Sequence, residues 1–117
     1  MSNCMQIDVH KEGPLLILTL NGRYDISKIH NFETIYRQHL EDNPKIIALN
    51  LRDLKYIDSS GIGSLVRCMN LALKNNIEFI CYDINENVES IFKIAKLDQF
   101  ISILTHDEFK QKYIKKQ

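Results

Sequence analysis

The residues of this chain best suited to chemistry stand together in YIDSSGIGSL, residues 56 to 65. An aspartate, two serines and two glycines are set there between apolar runs. Such a cluster could supply a nucleophile, a phosphate cradle, a helix cap or a hydroxyl that another enzyme modifies. The spacing disfavours the first two. A serine-hydrolase elbow reads G-x-S-x-G, and neither serine has that frame; Asp58 stands where Ser60 would need its first glycine. His10, His30, His39 and His106 are the available bases, and none has a recognisable catalytic setting. A P-loop needs a Lys after its second glycine, and none follows here. Of the dinucleotide fingerprint G-x-G-x-x-G only G-x-G is present. Metal binding fares no better, because no C-x-x-C or H-x-x-x-H pair occurs. The residues point to no catalytic set, no cofactor and no metal.

Ser59 and Ser60 fall where a strand gives way to a helix. The first N–H groups of a helix lack intrahelical acceptors and carry partial positive charge, so a phosphoryl group there meets free donors and a favourable field. Gly61 and Gly63 are poor helix formers, costing about 1 kcal/mol each relative to Ala. Bare backbone that admits another protein or a phosphate is one reason to keep them. A plainer reading stays open: Asp58 or Ser59 caps the helix, and the glycines ease the turn.

The elements that must position this cluster are legible in the apolar pattern. Met5, Ile7 and Val9 alternate with polar residues as in an edge or half-buried strand. After a Gly13-Pro14 turn, residues 15–20 (LLILTL) read as a strand buried on both faces, broken by Asn21-Gly22. From Ile26 a helix carries Ile29, Phe32, Tyr36 and Leu40 until Asn43-Pro44. Residues 46–51 (IIALNL) form a second buried strand. Ile62, Leu65, Val66, Met69 and Leu73 then make a helical stripe. Residues 77–84 (IEFICYDI) read as a strand, Asn87 as the cap of a short helix, and 100–104 as a last strand. Thr105 or Asp107 caps a final helix bearing Phe109 and Tyr113. Strands alternating with helices predict an α/β fold with parallel crossovers, and the opening hairpin makes the sheet mixed.

Composition narrows the function. The 117 residues carry 44% hydrophobic side chains, as expected of one domain with one core. Lys plus Arg and Asp plus Glu number 15 each. A nucleic-acid binder needs a basic excess, so none is expected as a partner. Lys110, Lys112, Lys115 and Lys116 read as the solvated face of the last helix. Cys4, Cys68 and Cys81 lie too far apart for a disulfide framework and fit a reducing compartment. The start shows no signal peptide, and no apolar run is long enough to span a bilayer. A cytoplasmic protein is expected, with no direct membrane insertion.

Taken together, NGRYD (residues 21–25), IIALNLRDLKYIDSSGIGSL (46–65) and NNIEFICYDINENVESIFKIAKLDQFISI (75–103) resemble the STAS domain, and within it the bacterial anti-sigma factor antagonists. The likeness spans essentially the whole chain, so residues 1–117 are expected to be one such domain. It implies an α/β fold with a four- to five-stranded mixed sheet and about four helices, mostly on one side. It also implies a regulator rather than an enzyme. Ser59, directly after Asp58, would take phosphate from an anti-sigma factor that is also a serine kinase. The unphosphorylated form would bind that partner and free a sigma factor, and a serine phosphatase would reverse the modification. Asp25 matches the family's acid near the phosphoacceptor; Asp58, Ser60, Gly61 and Gly63 complete its surroundings. Other STAS proteins serve as adaptor subunits of membrane lipid-transport or signalling complexes, where the serine would be only a cap. Arg67 departs from the family, which is often small or apolar at that position.

Overall fold

In the computed structural model, which describes residues 5–114, the opening hairpin pairs β1 (Gln6–Glu12) with β2 (Leu15–Tyr24) in antiparallel register. β3 (Ile46–Asn50), β5 (Glu78–Tyr82) and β6 (Ser102–Leu104) extend the sheet in parallel, in the order β1-β2-β3-β5-β6. A short β4 (Leu54–Ile57) lies off this path and pairs in parallel with the far end of β2. The sheet is therefore mixed, as expected, but six-stranded rather than four- or five-stranded.

The extra strand has a physical cause. Asn21-Gly22 does not end β2. Asn21 still pairs with Gln6, and Gly22, at φ 114°, accommodates a register irregularity that turns the strand onto β4. That continuation carries Tyr24 and Asp25 to the cluster at 56–65.

Four helices cover the sheet: α1 (Ile29–Leu40), α2 (Ser59–Lys74), α3 (Glu86–Ile94) and α4 (His106–Tyr113). A 3-10 turn, Ile26–Lys28, precedes α1. Side chains alternate along β2. Leu16, Leu18 and Leu20 enter the main core with Phe32, Tyr36, Leu65, Cys68 and Phe92, whereas Leu15 joins Ala48, Ile80, Tyr82 and Phe109 beneath α4. Ile17 and Thr19 on the α4 side are only half-buried, because one short helix covers that face incompletely. Phe109 stacks on Tyr82 with centroids 3.8 Å apart and closes this smaller cluster.

Two caps differ from the sequence reading or sharpen it. Asn85, not Asn87, caps α3: its Oδ1 accepts from the Val88 amide at 3.1 Å, and its Nδ2 donates to the Leu54 carbonyl at 2.6 Å. Thr105 caps α4 through a reciprocal box with Glu108. The strand predicted over 77–84 is trimmed to Glu78–Tyr82, since Asp83 turns away at φ 61°. The α2 stripe also divides: Leu65 and Met69 are buried and Ile62 and Val66 half-buried, but Leu73 is 57% exposed.

Cys68 and Cys81 are buried free thiols, and burial pushes both up to about 12. Cys4 lies outside the described residues. Each shift, from an ordinary value of 9.0, lowers the thiolate population at mild pH on the order of a thousandfold. In a Cys4→Ser variant, iodoacetamide should label neither thiol of the native protein and both after unfolding, as read by intact mass. Rapid native labelling would contradict the buried positions.

Candidate functional site

β4 delivers the chain to the start of α2, and Asp58 sits there as the N-cap with extended backbone. Its carboxylate accepts from the Gly61 amide at 2.9 Å, and its carbonyl accepts from the Ile62 amide at 3.0 Å. Asp58 therefore takes the capping role, and Ser59 becomes the first helical residue. Helix geometry leaves the amides of Ser59 and Ser60 without intrahelical acceptors at this mouth. Ser59 is exposed and Ser60 half-buried. The hydroxyl at 59 is thus free of structural duty as a cap and open to solvent.

The two glycines have different reasons. A Cβ on Gly61 would lie 2.7 Å from the Tyr24 carbonyl oxygen and 2.8 Å from Ile57 Cγ1, so bare backbone is required by the chain's own packing. The access argument does not apply there. At Gly63 the nearest atom to such a Cβ is Arg67 Nη1 at 3.8 Å, an ordinary contact with a flexible side chain, so packing does not require bare backbone there.

Asp25 is brought to the same end of the sheet. The Asp58 amide donates to the carbonyl of Tyr24, the residue before it, at 3.2 Å. Asp25 caps the 3-10 turn, accepting from the Ser27 hydroxyl at 2.6 Å and the Ser27 amide at 3.0 Å, with Lys28 Nζ at 3.3 Å. The Ser27 hydroxyl first, then Lys28, hold its carboxyl below the usual carboxylate range. Asp25 enters the site as a fixed anion.

Behind the serine lies a polar chain that sequence reasoning missed. The Tyr24 hydroxyl is hydrogen-bonded to the buried Ser64 Oγ. Ser64 donates to Glu33 Oε2 at 2.6 Å, and Arg67 Nη2 donates to the same oxygen at 2.9 Å. Burial raises the Tyr24 hydroxyl well above its ordinary range. At Glu33 burial opposes ionisation, but the bonds from Ser64 and Arg67 prevail and lower its pKa. Arg67, the departure noted in the sequence, thus has an acidic partner on α1. Tyr24 pins both the cap, through its carbonyl, and the second turn of α2, through its hydroxyl. Partners 31 to 40 residues apart leave no local signal.

Among the described residues no group of His, Cys, Asp and Glu could hold a metal ion, and no helix is long and apolar enough to cross a membrane. What the arrangement presents is an exposed hydroxyl at a helix start directly after Asp58, at the end of the sheet that also carries Asp25.

The STAS domain model matches residues 6–111, and the chain belongs to the STAS domain family. It is 19% identical over 99 residues to an anti-sigma-B factor antagonist of Staphylococcus aureus, covering 85% of this chain and 92% of that one. Its fold is similar to the crystal structure of an anti-sigma factor antagonist from Mycobacterium paratuberculosis, at TM-score 0.85 and 14% identity over 98% of each chain. It is also similar to the phosphorylated form of the Bacillus cell fate determinant SpoIIAA, at TM-score 0.68 and 16% identity over 92% of this chain and 97% of that one.

Proposed function

We propose that this protein is an anti-sigma factor antagonist switched by phosphorylation of Ser59. The unphosphorylated form binds an anti-sigma factor that is also a serine kinase, which frees a sigma factor. Phosphate on Ser59 ends that binding, and a serine phosphatase restores it. The protein acts by binding, in the cytoplasm, and catalyses no reaction itself. One observation carries the reading: Asp58 performs the capping, so the exposed Ser59 hydroxyl stands beside unsatisfied amides with no structural task. Names of the relatives supply the partner class.

A phosphoserine carries roughly −1.5 to −2 charges at neutral pH. The amides at the helix start tolerate that charge in the free protein, while Asp25 and Asp58 deepen the local negative field at an interface. Incubation with a candidate anti-sigma kinase and ATP should add one phosphate, about 80 Da in intact mass. Ser59→Ala should fold normally and take up none. Phosphate on Ser60, or on neither serine, would refute the assignment; the second outcome would favour the adaptor reading.

A further inference from the structure

The outer face of α2 does more than display Ser59. Ser59, Ile62, Val66, Met69, Asn70 and Leu73 fall within an arc of roughly 100° on a helix of 3.6 residues per turn, over about 21 Å of its length. Beside this stripe runs an apolar groove of about 390 Å³, walled by Ile62, Val66 and Met69 on α2 and by Leu97 and Phe100 opposite. Phe100 is 69% exposed, Ile94 82% and Leu73 57%. An exposed aromatic beside such an apolar groove marks an association surface rather than a solvated one.

We propose that a second copy of this chain covers it, with the two α2 helices antiparallel and crossing near Val66. A two-fold contact requires one patch to carry complementary features of its own, and this patch does. Its charge runs from Asp58 at the start of α2 to Lys74 at the end, so a two-fold axis lays each acidic end on the basic end opposite. The axis sets Ser59 near Lys74 of the partner subunit. Antiparallel helix dipoles add to the match. Gly63, where an added Cβ would meet only the flexible Arg67 side chain at 3.8 Å, lies close to the crossing and lets the backbones approach. The projecting Phe100 ring adjoins a groove able to receive its counterpart. Lone exposed aromatics beside such grooves are frequent anchors of association. A contact centred on one helix and one groove is expected to be weak, in the micromolar range.

This inference stands independently of the phosphoacceptor reading, since it needs neither kinase nor partner. If both hold, self-association and partner binding compete for one face.

Sedimentation velocity from micromolar to millimolar concentration should resolve a monomer–dimer equilibrium. Phe100→Asp and Val66→Asp should each raise the dimer Kd at least about tenfold, while Val9→Asp, on β1, leaves it unchanged. Ser59→Lys and Lys74→Glu should each weaken the dimer, and the double variant should restore it. Thermal unfolding of each variant separates loss of the dimer from loss of the fold. A monomer at every concentration, an equal effect of Val9→Asp, or no rescue in the charge-exchanged pair would overturn the proposal; the first outcome would leave this face to a different partner.

Discussion

Replacing Gly61 by alanine should destabilise the protein by about 2 kcal/mol, whereas the same change at Gly63 should stabilise it by up to about 1 kcal/mol. The added methyl at 61 lies 2.7 Å from the Tyr24 carbonyl oxygen, which is backbone and cannot swing aside. That carbonyl also accepts the Asp58 amide, so α2 can retreat only by loosening its own cap. Ile57, whose Cγ1 lies 2.8 Å away, is a core residue and has little room to yield. Overpacking of this kind costs about 1–3 kcal/mol, and the clash with backbone puts it at the upper end. Alanine's helical preference returns about 1 kcal/mol. At Gly63 that preference acts alone. Thermal unfolding should show a fall of roughly 5–10 °C for Gly61→Ala and a rise of a few degrees for Gly63→Ala. Shifts of the same sign would mean that the two glycines are not divided between packing and access.

Paired in G-x-G, these glycines look alike in sequence, and their separation shows where local reading ends. What the sequence displays is what local pattern controls. The apolar runs at 15–20 and 46–51 become strands because continuous apolar residues need cover on both faces. Asp58 is legible as a cap because Asp at a helix start has few better uses. β4 is hidden for the converse reason. Leu54 and Ile57 are buried while Lys55 and Tyr56 between them are exposed, a spacing that is not the period of two. Asn87 reads as well as Asn85 until the Leu54 carbonyl, supplied by the chain's return, selects Asn85. The Tyr24–Ser64–Glu33–Arg67 chain is the extreme case, existing only once β2, α1 and α2 are packed. Leu73 reads as core by its spacing, yet it lies on the outer arc of α2 while its neighbour Ala72 takes the buried side.

Under the proposed function, Ser59→Asp should weaken binding to the anti-sigma factor at least about a hundredfold while shifting thermal stability little. The two effects separate because the hydroxyl serves different surroundings in the two states. In the free protein the new carboxylate replaces an exposed side chain at the first position of α2, where the helix field favours negative charge by about 0.3–1 kcal/mol. The fold should be unchanged or slightly more stable. In a complex that covers this face the same charge leaves water beside Asp58, whose carboxylate caps α2. A buried charge left without a partner costs about 3–5 kcal/mol, which is more than a hundredfold in affinity. Phosphate, with its larger charge, should weaken binding further. Calorimetric titration of wild type, Ser59→Ala and Ser59→Asp into the partner would order the three, with alanine near wild type. Aspartate binding as tightly as serine would show that negative charge at position 59 is not what ends the contact. The switch would then have to come from the bulk of the phosphate or from a rearrangement of α2.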